Sequence, residues 1–160
     1  MWDKADDCAV FESGMAAIST VLLEFLKPGD VLLYSSPVYG GTDHFINDFL
    51  NKIGVHTISF TPNDSKEDIL KRLKNSGLAN KLSMIFIETP ANPTNALIDI
   101  EMCKSIADLY STMDTKVHLA VDNTYMGPLW QHPLEHGADS VLYSATKYID
   151  GQGRCLGGAV

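Results

Sequence analysis

Arginine is nearly missing from this chain: 160 residues hold two, Arg72 and Arg154. Lysine does not make up the deficit, and 12 basic against 20 acidic residues leave a formal charge of -8. A surface of that sign repels phosphate backbones, which argues against general nucleic-acid binding. No apolar run approaches the roughly 18 residues that a membrane span needs, so no membrane partner is expected. Segment 1–7 carries three acids and no apolar stretch, and does not read as a secretory signal. Cysteine is scarce too. Cys8, Cys103 and Cys155 are odd in number and lack metal-type spacing, so they are expected as reduced thiols of a cytoplasmic protein. Repeats and low-complexity stretches are also absent. What remains is an ordinary globular composition, 45% hydrophobic, in a chain long enough to bury one real core.

Short apolar runs alternate with longer helical patterns. The spacing predicts helices over 14–26, 41–53, 64–75 and 99–113, and strands over 31–34, 55–60, 82–88, 117–121 and 140–143. The first helix stops at Lys27-Pro28-Gly29-Asp30. The second presents Phe45, Ile46, Phe49, Leu50 and Ile53 on one expected face. The third is expected to be capped by Asp64, with Glu67 at the capping-box offset. The fold class that follows is α/β, a mostly parallel sheet with helices on both faces. In such sheets ligands collect at the carboxyl ends of the strands. Four polar or glycine-rich clusters fall there: Ser35-Ser36-Pro37-Val38-Tyr39-Gly40, Glu88-Thr89-Pro90-Ala91-Asn92-Pro93, Asp122-Asn123-Thr124-Tyr125 and Ser144-Ala145-Thr146-Lys147.

Each cluster has a chemical and a plain reading. Ser13-Gly14-Met15 opens a helix, whose free backbone amides and positive dipole end suit a phosphate; alternatively Ser13 is an ordinary N-cap. Asp122 ends a strand and can pair with a protonated ring nitrogen, or ligate a metal, or cap the next segment. Lys147 follows a strand, with the hydroxyl residues Ser144 and Thr146 just before it. Burial there would lower its pKa and free the amine for Schiff-base chemistry, whereas a surface lysine would snorkel into solvent. Tyr39 can stack on an aromatic ring or simply pack. Asn92, between two prolines, can donate to a ring hydroxyl or help shape a turn. Together the set supplies a phosphate anchor, a ring stack, a phenolate partner, a pyridinium partner and an imine lysine, which are the parts pyridoxal 5'-phosphate (PLP) needs.

Ser13-Gly14-Met15, Tyr39-Gly40, residues 88–93, Val121-Asp122-Asn123-Thr124-Tyr125 and Ser144-Ala145-Thr146-Lys147-Tyr148 resemble, in order and spacing, the Cys/Met-metabolism family of PLP enzymes. That family holds cystathionine gamma-synthase, cystathionine lyases, methionine gamma-lyase and O-acylhomoserine sulfhydrylases. The resemblance implies the large domain of the fold type I PLP transferases over 1–160, incomplete at both ends. It implies PLP as cofactor, with Lys147 and Tyr39 catalytic. Lys147, Asp122, Gly14, Met15, Tyr39, Asn92, Ser144 and Thr146 would bind the cofactor. It also implies a small amino-acid substrate, γ-elimination or γ-replacement in transsulfuration and methionine metabolism, and a dimer of dimers.

The family's upstream Tyr-x-Arg segment and C-terminal domain have no counterpart, so the chain is expected to be a central fragment with little turnover alone. Residues 157–160 read as the start of another strand. Arg72 sits with Lys71 and Lys74 on a charged helical face, and Arg154 in a loop near the site. Residues 150–158 look most like O-succinylhomoserine sulfhydrylases, whereas 89–93 with 122–125 are similar to methionine gamma-lyase. Other readings are a binding module without catalysis, an aminotransferase-type PLP enzyme, and a metal hydrolase on His132 and His136. The last lacks a third ligand and has Pro133 between its histidines, so no metal is expected.

Overall fold

The computed structural model describes residues 3–160; Met1 and Trp2, the first residues of the acidic opening segment, lie outside them. Seven strands form one sheet in the order β1-β7-β6-β5-β4-β2-β3. They are β1 (Val10–Phe11), β2 (Val31–Ser35), β3 (His56–Phe60), β4 (Leu82–Glu88), β5 (His118–Asp122), β6 (Ser140–Ser144) and β7 (Gly158–Ala159). Strands β2 to β6 run parallel, while β7 is antiparallel to both β6 and β1. The expected mostly parallel sheet is therefore present, with a small antiparallel corner at one side. Residues 157–160, read as the start of a strand, contribute β7 to that corner. Two-residue strands carry too little periodicity for a sequence to announce them, and β1 went unforeseen for that reason.

Helices α1 (Gly14–Phe25), α2 (Gly40–His44), α3 (Lys66–Asn75), α4 (Ile100–Tyr110) and α5 (Gly127–Trp130) follow the strands. Alternation along the strands sorts the core into two layers. Val31, Leu33, Ile85, Ile87, Leu119 and Val121 face Ile69 and Leu73 of α3 and Cys103, Ile106 and Ala107 of α4. Leu32, Tyr34, Met84, Phe86, Ala120 and Leu142 face Ile18, Val21 and Leu22 of α1, with Ile46 and Leu50 beyond them. Burying each such aliphatic side chain contributes about 2 kcal/mol, so both faces of the central strands anchor the sheet.

Two local expectations are corrected. Helix α2 passes at Phe45 into a π-type turn over Phe45–Leu50. The wider winding splits the expected apolar face: Ile46 and Leu50 are buried, while Phe49 turns outward and stacks on Phe45. Helix α3 is capped by Ser65, not Asp64, in a capping box completed by Asp68 rather than Glu67. Asp64 is engaged elsewhere. It accepts from the Thr61 amide at 2.6 Å and from Arg72 at 2.7 Å, and these contacts, Thr61 first, hold its carboxyl below the usual range. Arg72 is thus tied down, not freely solvated.

Candidate active site

Strand order reverses beside β2: the chain steps outward from β2 to β3, then returns to place β4 on the other side. Crevices form at the carboxyl edge of a sheet at such switch points. A cavity of about 200 Å³ opens along that edge. Its lining comes from six segments: the start of α1, the loop after β2, the ends of β4, β5 and β6, and Leu156 before β7. Gly14, Met15, Tyr39, Asn92, Asp122, Ser144, Thr146 and Lys147 all line it, so every residue singled out for the cofactor meets at one place. A larger hollow of about 750 Å³ lies between segment 3–9 and β6, but holds none of these groups.

At the α1 end, Ser13 does cap the helix, its hydroxyl accepting from the Ala16 amide at 3.1 Å. The amides of Gly14 and Met15 have no acceptor among the described residues, so the N-cap leaves both of them free. Gly14 lies so close to the end of β6 that a Cβ there would sit 2.6 Å from Ser144 Cβ. The missing side chain is what brings the helix start to the strand end. Ser144's hydroxyl has no protein partner among the described residues. Thr146 differs: its hydroxyl donates to the Gly157 carbonyl at 3.2 Å and accepts from the Gly157 amide at 3.0 Å, closing the segment that leads to β7.

Asp122 is 5% exposed at the end of β5. Its Oδ1 accepts from the Thr124 hydroxyl at 2.6 Å and the Thr124 amide at 3.0 Å. The same hydroxyl accepts from the Ser144 amide at 2.8 Å, locking the end of β5 to that of β6. No donor among the described residues reaches Oδ2. Burial raises the Asp122 pKa, opposed by both Thr124 contacts. A buried carboxyl group at the lining of a cavity, with one oxygen free of protein donors, suits a cationic or hydrogen-bond-donating group. Behind it Asn123, fully buried, holds the following loop through Gly127, Gln131 and Tyr143. Asn123 is structural.

Tyr39 is 44% exposed, with its ring against α2: a Cβ at Gly41 would meet Tyr39 Cε1 at 2.7 Å and Met15 Sδ at 3.0 Å. Lys147 is exposed at the rim, in the turn where its amide donates to the Ser144 carbonyl at 3.0 Å, so of its two readings the solvent-facing one describes its placement. Its ammonium makes no ion pair among the described residues. Arg154 is exposed and outside the cavity. His136 pairs with Glu101 at 2.9 Å around a different hollow, and no cluster among the described residues could hold a metal.

Sequence reasoning missed Glu88 and left Thr124 without a role. Both sit immediately beyond or at a strand end, and a carboxylate closing a continuous apolar strand was the available signal. Glu88 is 5% exposed and lies beside Asp122 in register across β4 and β5. Burial first, then the Asp122 charge, pushes its pKa up to about 7, against amide contacts from Asn92 and Tyr39.

The family described as Cys/Met metabolism PLP-dependent enzyme matches this chain over residues 2–160. Cystathionine gamma-lyase of Homo sapiens is 38% identical over 99% of the chain and 36% of its own length. L-methionine gamma-lyase of Treponema denticola is 34% identical over 99% of the chain and 37% of its length. Cystathionine gamma-synthase/O-acetylhomoserine (thiol)-lyase of Bacillus subtilis is 41% identical over 94% of the chain and 37% of its length. The crystal structure of metB from Corynebacterium glutamicum superposes with a TM-score of 0.85 at 32% identity, covering 99% of this chain and 38% of that one. The chain thus spans little more than a third of the relatives it matches.

Proposed function

We propose that this chain, which belongs to the Cys/Met-metabolism family of PLP-dependent enzymes, forms the cofactor cradle of a sulfur amino-acid enzyme acting at the γ carbon. The observation that carries the reading is the meeting of eight residues from five segments at one cavity. The donor set fits PLP. Gly14 and Met15 offer unused amides and Ser144 an unused hydroxyl for the phosphate, with Thr146 beside them. Asp122, buried with a free Oδ2, suits the ring nitrogen, Tyr39 the ring face, and Asn92 the phenolic oxygen. Lys147, without a carboxylate partner, would hold the group covalently through its amine.

When bound, PLP supplies an electron sink for the substrate's Cα and then Cβ, so that a group on Cγ can leave. Asp122, held by Thr124, would pair its carboxyl group with the ring nitrogen and so favour that electron sink. Lys147 at the rim, its amine freed once the substrate's amino group has taken its place, would carry protons between Cα and Cβ. Tyr39 delivers a proton to the leaving group while its ring keeps water from that face. Methionine, cystathionine and O-acylhomoserine are the proposed substrates, by γ-elimination or γ-replacement. Relatives named for both reactions match at similar identity. We place the assembly in the cytoplasm as a dimer of dimers, with residues 1–160 as part of a large domain.

Neither arginine lines the cavity. That favours a second reading for these 160 residues taken alone: a cradle that binds PLP without turnover, because nothing in it grips the substrate carboxylate. The experiment is an absorption spectrum with PLP beside Lys147→Ala. A band near the visible edge, reducible by borohydride and lost in the variant, is expected. A band that survives in Lys147→Ala refutes the assignment. Turnover of methionine, cystathionine and O-succinylhomoserine then separates the substrates, and transamination of a keto acid tests the aminotransferase branch.

A further inference from the structure

Two of the proposed cofactor residues, Tyr39 and Asn92, sit on loops from different strands, and one side chain ties both. Glu88 Oε2 accepts from the Tyr39 amide at 2.5 Å, and Oε1 accepts from the Asn92 amide at 2.8 Å. Its own amide donates to the buried Ser35 hydroxyl at 3.0 Å, fixing the strand ends from which the loops spring. These loops flank the switch point between β2 and β4. No other side-chain hydrogen bond among the described residues holds either amide.

We infer that Glu88 is a positioning residue: its one carboxylate sets the separation and tilt of the Tyr39 ring and the Asn92 amide across the cavity, acting through their backbones. The residue type is dictated by that task. Two amides from two directions need two acceptor oxygens, which glutamine lacks, since its amide nitrogen would meet one N–H with another. Aspartate is one methylene too short to reach both loops. The position next to Asp122 has an electrostatic cost, because two buried carboxylates disfavour each other's charge. A residue serving packing alone would be apolar at such a place.

The inference rests on the PLP reading of the cavity. Its test is PLP binding and the visible circular dichroism of the bound cofactor, which reports how the ring is held independently of turnover. The purified protein carrying this chain is compared with Glu88→Gln, Glu88→Asp and Lys147→Ala. Glu88→Gln is expected to weaken PLP roughly tenfold or more, as for loss of one hydrogen bond to a strongly polar group, and to change the dichroism. Glu88→Asp is expected to do the same, through lost reach. Variants with the dichroism and PLP affinity of the unaltered protein overturn the inference while the PLP reading stands. Failure of the unaltered protein to bind PLP overturns both. If the variants do not fold, hydrogen exchange in the unaltered protein decides. Slow exchange at Tyr39 and Asn92 supports the clamp, and exchange as fast as at an exposed loop amide refutes it.

Discussion

Substituting Gly14 by alanine tests the closest approach in the site. The added Cβ would stand 2.6 Å from Ser144 Cβ, 2.8 Å from its Oγ and 2.9 Å from its Cα. Carbon atoms in contact rest at about 3.5–4.0 Å, so the start of α1 and the end of β6 must part by roughly 1 Å. Rotating the Ser144 side chain moves Oγ but neither Cβ nor Cα. Overpacking of this kind costs about 1–3 kcal/mol. Alanine returns up to about 1 kcal/mol through helix propensity and lower unfolded-state entropy, less at the first helical position. The expected net loss is about 1–2 kcal/mol, read from urea denaturation as a lower midpoint at unchanged slope. Combining Gly14→Ala with Ser144→Gly removes Cβ and Oγ of residue 144 but leaves its backbone in the way of the new methyl group. The double variant should therefore recover part of the loss, with a coupling of about 0.5 kcal/mol or more. Gly14→Ala as stable as the unaltered protein, or losses that simply add, would refute the close-approach argument.

Two further outcomes follow from the carboxylates. Glu88 binds its proton more tightly when folded, with a pKa near 7 against 4.5, so its contribution is complete below pH 4.5 and disappears as pH rises through 7. At about 1.4 kcal/mol per unit, that slope amounts to about 3 kcal/mol without PLP. His118, whose pKa burial lowers, works in the opposite sense as pH falls through its range. The measurement is therefore the difference in denaturation free energy between unaltered protein and Glu88→Gln across this window, and a pH-independent difference contradicts the prediction. Thr124→Val removes both the hydroxyl bond to Asp122 and the acceptor for the Ser144 amide. It should cost about 1–3 kcal/mol and raise the Asp122 pKa further. Unchanged stability in urea would show that the lock between β5 and β6 carries no weight.

Much of this site was legible in the chain because its chemistry is written in short local strings at strand ends. Apolar strands buried on both faces leave polar residues nowhere to go but the loops, and the parallel arrangement sends those loops to one edge. That reasoning brought Gly14, Met15, Tyr39, Asn92, Asp122, Ser144, Thr146 and Lys147 to one cavity. Single-residue choices fared worse. Ser65 and Asp64 are both good caps, and contacts with Thr61 in the preceding turn and Arg72 on the helix itself drew Asp64 away. Lys147, left open between a buried and a solvent-facing reading, is exposed, and that outcome depends on how residues 144–151 turn, which no periodicity encodes.

The sequence by itself determined the alternation of strand and helix, the two-sided core and the family, since these depend on patterns within tens of residues. Only the tertiary structure decided what Glu88 does. Its two oxygens meet amides 49 and 4 residues away along the chain, and its pKa depends on Asp122 in the neighbouring strand. Such a role lies in where the strand order reverses, because a carboxylate acquires its partners from the loops that the topology sets beside it.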